Sequence, residues 1–419
     1  MKLNKLLLLP LAITIIVGCE KEVIKEVEVE KIVEKEVIKE VIKEVTKTVT
    51  NTVTNTVNIN FPPQEFEFTR LGKSTVFFTG QTTRLKQADA LKSAMSNTSS
   101  TEAGVLNMFD NGQGFSDASI NSETKMVGPK TAAKSANKAV NKAKFDGWIK
   151  EFVDNVIPSV VANTNAAAGQ AGLISDAGGR QGVKVNGKGH EMNQIFSKSL
   201  IGAFNLDQII NEGGYLSKSK LDPANEDNTN GKFYYTGTDG TPSANNITKM
   251  EHYWDEGFGY LYGQDNQYKP ELGKGSLLNY YLKKVNGSED VGIAKKIYDA
   301  FILGRAAIVS KNYTLRDEQA KIIKIELSKV VGYKAMSYLT DAADHKKSGE
   351  MAALFHALSE GYGFIFSLQF TQDSDGKPYM SHEDVNKLLV RLDKDNGFWS
   401  RTEVELDAMA AEIKTATGL

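Results

Sequence analysis

The sequence predicts an all-α fold, a helical bundle with internal duplication, and three observations lead to it. From about residue 66 onward apolar residues recur at helical spacing with little sustained alternation. Clusters of Gly, Asn, Asp and Ser separate these periodic stretches. The third observation is an echo: HYWDEGFGYLY, starting at His252, returns as HALSEGYGFIF, starting at His356, with His, Glu and both glycines in register. Two such segments mark a duplicated helical unit, with copies near 185–265 and 288–372.

The chain begins with a different kind of segment. Lys2 and Lys5 precede an apolar run from Leu6 to Val17, too short to span a bilayer, which needs about 20 apolar residues. The run ends in Ile16-Val17-Gly18-Cys19, which resembles the lipobox of bacterial lipoproteins, and Cys19 is the sole cysteine. That resemblance implies a signal peptide over 1–18 and acylation of Cys19. Several acyl chains on one residue suffice for stable anchoring. Glu20 follows at once and resembles the surface-export signals of Bacteroidota lipoproteins. The expected location is the outer membrane, lipid-anchored and facing the cell surface. With no second cysteine there is no intrachain disulfide and no multi-thiolate metal site, so the fold rests on burial.

Residues 19–63 form a spacer of short repeats, KEVIKEV and VTKTVTNTV among them. Valines at 33, 37, 41, 45, 49, 53 and 57 recur every fourth position, a spacing that winds around a helix and makes no heptad seam. The Glu/Lys half suits i,i+4 ion pairs, whereas the Thr/Val half favours extended backbone. The segment reads as a spacer, or as a self-associating stalk, reaching roughly 55 Å if helical and about 125 Å if extended. Pro62-Pro63 ends it.

Helices are expected near 82–96, 131–162, 191–211, 247–263, 288–310, 314–343, 348–371, 381–394 and 401–416, making residues 64–419 one helical domain. Ser381 with Asp384, and Ser400 with Glu403, have capping-box spacing. The stretches 97–130 and 213–246 are expected to be long surface loops. Each half is expected to be a helix pair, joined upstream by a fainter likeness between SLIGA at 199–203 and FILGRA at 301–306.

The echo carries the chemistry. His252 and Glu256, like His356 and Glu360, stand four apart and share a helix face. If the copies pack about a twofold axis, these four residues meet, and two imidazoles with two carboxylates suit iron, zinc or manganese; Asp255 is a secondary ligand candidate. The alternative is that each pair bonds only within its own helix. The glycines then permit close packing, since each costs about 1 kcal/mol in a helix. Arg305, in an apolar stretch, is either an anion ligand or a buried ion-pair partner of Glu256 or Glu360. His190-Glu191 opens like a zincin motif, but Gln194 stands where the second histidine belongs. Asp373-Ser-Asp375-Gly376 and Asp393-Lys-Asp395-Asn-Gly397 are read as turns, lacking the glycine and glutamate of a calcium loop. Trp148, Trp254 and Trp399 are read as core. A formal net charge of −2 argues against a nucleic-acid partner.

Several stretches together, STVFFTGQTTRLKQADAL at 74–91, EMNQIFSKSLIGAFNLDQ at 191–208, HYWDEGFGY at 252–260, GRAAI at 304–308, HALSEGYGFIFSLQF at 356–370 and NGFWSRT at 396–402, resemble a family of Bacteroidota lipoproteins with a domain of unknown function, grouped near the imelysins. The resemblance implies an imelysin-like helical bundle, an envelope location and a part in acquiring iron, another metal or an iron chelate, beside a TonB-dependent receptor. It also implies a metal-dependent peptidase as an alternative, although the imelysin G-x-H-x-x-E hallmark is missing: His252-x-x-Asp255 has Asp for Glu and follows Lys249-Met250. A structural or receptor-accessory lipoprotein without its own ligand is the third reading.

Overall fold

The structure is a computed structural model that describes residues 63–419 apart from 71–72, 231–232, 237–241 and 266–267; the side chains of 233–236 and 242–246 are also not described. The expected leader over 1–18, Cys19 and the spacer up to residue 62 lie outside the described residues.

The body is a helical bundle. Its helices are α1 (Thr79–Ala94), α2 (Glu102–Asn111), α3 (Lys138–Glu151), α4 (Met192–Leu200), α5 (Lys249–Tyr262), α6 (Leu278–Gly287), α7 (Ile293–Val309), α8 (Tyr313–Ser348), α9 (Met351–Ser367), α10 (His382–Asp393) and α11 (Glu403–Thr417). A π turn, Ile201–Leu206, and a short helix, Asp207–Ile209, prolong α4. Another π turn, Phe152–Val156, and Ile157–Val161 prolong α3, where Pro158 has no N–H to continue the ladder. Among the described residues lie three antiparallel strand pairs: β1 (Thr69–Arg70) with β2 (Lys73–Ser74), β3 (Gly172–Ile174) with β4 (Val183–Val185), and β5 (Phe233–Thr236) with β6 (Pro242–Ile247).

Local chemistry sets the ends of these helices. Thr248 and Glu251 form a reciprocal capping box at the start of α5, and the Ser381 hydroxyl accepts from the Asp384 amide at the start of α10, as its spacing predicts. The box expected from Ser400 and Glu403 is instead made by Thr402 and Glu405, because Gly397–Ser400 is a 3-10 turn that delays α11. Both loop expectations are also corrected. The stretch 97–130 contains α2, which Thr101 caps, and 213–246 contains a helical turn, Glu226–Thr229, and the β5 and β6 hairpin. The helix α6 lies where no helix was expected.

The longest helix, α8, packs against α7, α9 and α11, while α9 also lies along α4. The copies therefore pair crosswise. The SLIGA-bearing α4 lies along the second echo on α9, and the FILGRA-bearing α7 packs on the first echo on α5. Exchange between halves is thus added to pairing within the first half, where the turn after α4 also packs on α5: Asn205 donates to the Tyr260 carbonyl at 2.7 Å and Phe204 meets the Tyr260 ring edge-on. The second glycine of each echo permits a close approach, that of Gly363 to α4 and that of Gly259 to Phe78 just before α1. A Cβ on Gly363 would lie 2.4 Å from Cβ of Lys198, and one on Gly259 would lie 2.4 Å from Cβ of Phe78. Trp254 is fully buried and donates to the Phe301 carbonyl at 2.9 Å. Trp148 and Trp399 are only half-buried, at the margin of the core.

Candidate functional site

The two histidine–glutamate couples keep their spacing but occupy different surroundings. On α5, His252 Nε2 lies 3.6 Å from Glu256, and its ring stacks on Phe77 at 5.7 Å. Glu256 accepts from Gln81 Nε2 at 2.8 Å and from the Tyr215 hydroxyl at 3.2 Å. Burial lowers the His252 pKa, and Glu256 pulls the other way.

The neighbouring Asp255 is committed elsewhere. Arg305, wholly buried on α7, donates Nε to Asp255 at 2.8 Å, Nη1 to Glu251 at 3.0 Å and Nη2 to the Thr75 hydroxyl at 3.1 Å. Arg70 closes the network on Glu251 at 2.7 Å. Burial opposes ionisation of Glu251, but Arg305 and Arg70 outweigh it and hold the carboxyl below its usual range. Arg305 thus partners neither Glu256 nor Glu360, and its donors are taken up by protein groups. Asp255, buried beneath Arg305, has no lone pair directed at solvent for an ion. This cluster clamps the β1 and β2 hairpin and the chain after it to α5 and α7.

On α9 the second couple opens into a cleft. His356 Nε2 lies 3.8 Å from Glu360, and its Nδ1 lies 2.7 Å from Glu191 at the start of α4. Glu360 accepts from the Tyr281 hydroxyl of α6 at 3.0 Å and faces Lys198 Nζ of α4 at 3.4 Å. Lys198 is almost wholly buried, its ammonium 5.1 Å from the centre of the Tyr281 ring. Burial pushes that ammonium down to about 8, against the pull of Glu360. Burial likewise opposes ionisation of Glu360, but Lys198, His356 and the hydroxyls of Tyr338 and Tyr281 outweigh it and hold the carboxyl at about 2.

Lys198, Tyr281, His356 and Glu360 line a cleft of about 520 Å³. Lys92, Arg180 and Lys284 add positive charge to its wall, and Tyr280 and Tyr338 add aromatic surface. Gln194 contributes a buried Oε1 with no hydrogen-bond partner in the protein. A buried cation with spare donors, beside an unmet acceptor, is a polar arrangement that a ligand completes.

The two couples do not merge. Each has its own neighbours, and among the described residues no group of three or more His, Cys, Asp or Glu side chains is placed to hold a metal ion. The reason is geometric at His356, where Glu191 and Glu360 approach opposite nitrogens of one ring and so do not converge on a point. A family described as Domain of unknown function (DUF4856) matches residues 63–419, the span of the helical body. The chain belongs to that family. No curated protein and no solved structure matches the chain.

Within this DUF4856 chain, sequence reasoning reached His356 and Glu360 but missed Lys198, Glu191 and Tyr281. A lone lysine flanked by Ser197 and Ser199, between the apolar Phe196 and Leu200 of a helix with a buried face, is the available signal. Tyr281 sits on the helix that was not foreseen. Elsewhere, His190 pairs with Asp393 at 2.8 Å and packs on Phe398, which is a structural arrangement. The Asp373 carboxylate accepts from the amides of Asp375 and Lys377, closing the expected turn.

Proposed function

We propose that this chain binds a small anionic ligand in the Lys198 cleft and serves, lipid-anchored through Cys19 at the outer membrane, in the acquisition of an iron chelate. The observation that carries the reading is the buried ammonium of Lys198 at a cleft walled by Lys92, Arg180 and Lys284. Low-dielectric surroundings strengthen a ligand contact to the buried Lys198, while the exposed Arg180 and Lys284 add a screened attraction, and the aromatic rings provide flat surface for an organic body. A carboxylate-rich chelate fits this chemistry better than a bare ion, because the donors near His356 diverge. The envelope location and a TonB-dependent receptor as partner follow from the lipobox and the family likeness. The metal-dependent peptidase alternative has less support, since among the described residues no group of three or more His, Cys, Asp or Glu side chains is placed to hold the metal that would activate its water.

Isothermal titration of the purified protein with ferric citrate and with citrate tests this. Saturable binding to wild type, weakened at least about tenfold in Lys198→Met, is expected for the loss of one buried charge-assisted contact. Silence in both titrations would point to an accessory protein without a ligand of this class.

A further inference from the structure

We propose that Lys198 is a nucleophilic amine that captures a small carbonyl-bearing acid, such as a 2-oxo acid, as a reversible imine in the cleft. The inference rests on the anion-binding reading, because Lys92, Arg180 and Lys284 would seat the acid group.

The duplication supplies the first argument. Both echo glutamates accept a tyrosine hydroxyl, Tyr215 on Glu256 and Tyr281 on Glu360. The remaining partners differ: Glu256 has the neutral amide of Gln81, whereas Glu360 has the Tyr338 hydroxyl and, in addition, the ammonium of Lys198. A neutral donor therefore suffices to satisfy the carboxylate in this fold, and burying a lysine is the costlier solution. The amine in the second copy serves something other than packing.

The second argument is how loosely Lys198 is held. Its Nζ stands 3.4 Å from Glu360, long for a charge-assisted bond, and the residue lines the cleft. Burial and the nearby Lys92 ammonium lower its pKa to about 8 despite Glu360. Near neutral pH that leaves on the order of a hundredfold more free amine than an ordinary lysine has.

The chemistry balances with groups on hand. The lone pair of the neutral amine attacks the carbonyl carbon, a C–N bond forms, and the C=O π pair moves to oxygen. One proton passes from nitrogen to that oxygen through the Glu360 carboxylate, giving a carbinolamine. A second proton, drawn from solvent entering the cleft, goes to the hydroxyl, which leaves as water while nitrogen supplies the new π pair. Deprotonation of the iminium returns that proton, so amine plus carbonyl gives imine plus water and no electrons change hands. Hydrolysis reverses the sequence and releases the ligand.

Full-length protein is incubated with pyruvate or glyoxylate at pH 7.5 and reduced with borohydride, and the adduct is mapped by peptide mass spectrometry. One adduct per chain on Lys198, formed at least about tenfold faster than on any other lysine and slowed by lactate, is expected. Mapping on wild type needs no variant; Lys198→Arg, checked for folding by circular dichroism, is expected to lose the label. Label spread over surface lysines without preference for Lys198, or unchanged in Lys198→Arg, overturns the proposal. Citrate titration of the same batch separates the two readings. Binding without trapping removes the imine and leaves the anion site, whereas neither binding nor trapping removes both.

Discussion

Lys198 and Glu360 face each other across 3.4 Å between α4 and α9, both withdrawn from solvent, and this charge pair joins two helices 162 residues apart in the chain. Removing one member strands the other. Lys198→Met is expected to lower unfolding stability by about 3 kcal/mol, and a Lys198→Met/Glu360→Met double variant to recover most of that loss, since an apolar pair replaces a buried ionic one with little penalty. Urea denaturation of the three variants checks it. Equal losses in the single and double variants would contradict it.

Glu360 makes stability pH-dependent. Its folded value, about 2, lies below the ordinary 4.5, so the unfolded chain binds the extra proton between these values. The contribution is complete above pH 4.5 and is lost as pH falls toward 2, on the order of 3 kcal/mol in all. Lys198, lowered from 10.5 to about 8, acts in the other range, where stability rises as pH climbs through that window. Glu360→Gln is expected to flatten the acid limb of a stability–pH curve, measured by denaturant midpoints.

Arg305 is another buried charge on which the fold depends. Arg305→Met leaves Glu251 and Asp255 without their shared partner and is expected to cost about 3–5 kcal/mol, while Arg305→Lys restores little because one ammonium cannot reach three acceptors in a fork. Thermal melts read the difference. A melt of Arg305→Lys matching wild type would show that charge alone suffices.

The two histidines part company in function. His356→Ala is expected to weaken citrate binding severalfold, whereas His252→Ala leaves it within about twofold, because only His356 lines the cleft. Equal losses in both would restore the idea of a shared site.

Two glycine substitutions of opposite sign test the helix approach. Gly363→Ala drives a methyl to 2.4 Å from Lys198 Cβ and 2.8 Å from the Ser199 nitrogen, and is expected to cost about 1–3 kcal/mol. Gly147→Ala, on α3 with nothing within 4 Å, is expected to stabilise by about 0.5–1 kcal/mol. Chemical denaturation separates them.

Much of the architecture was legible in the chain. Helical spacing around 192–209, 249–262 and 313–348 reports a local property, the face each segment buries, and Ser381 marks a helix start through a bond three residues away. Where local signals compete they misled. Ser400 and Thr402 both precede a glutamate at capping distance, and only the turn at Gly397–Ser400 decides between them. The helices α2 and α6 are short and escaped a reading based on long periodic runs.

Residue order alone determined the duplicated His-x-x-x-Glu-Gly turns, because four residues along a helix bring two side chains to one face whatever surrounds them. Which of them opens to a ligand was decided only by the tertiary structure. The carboxylate of Glu256 meets Gln81 from α1, and that of Glu360 meets Lys198 from α4 and Tyr281 from α6, partners 175, 162 and 79 residues distant. Desolvation and charge pairing depend on such distant neighbours, and no spacing within a single helix encodes them.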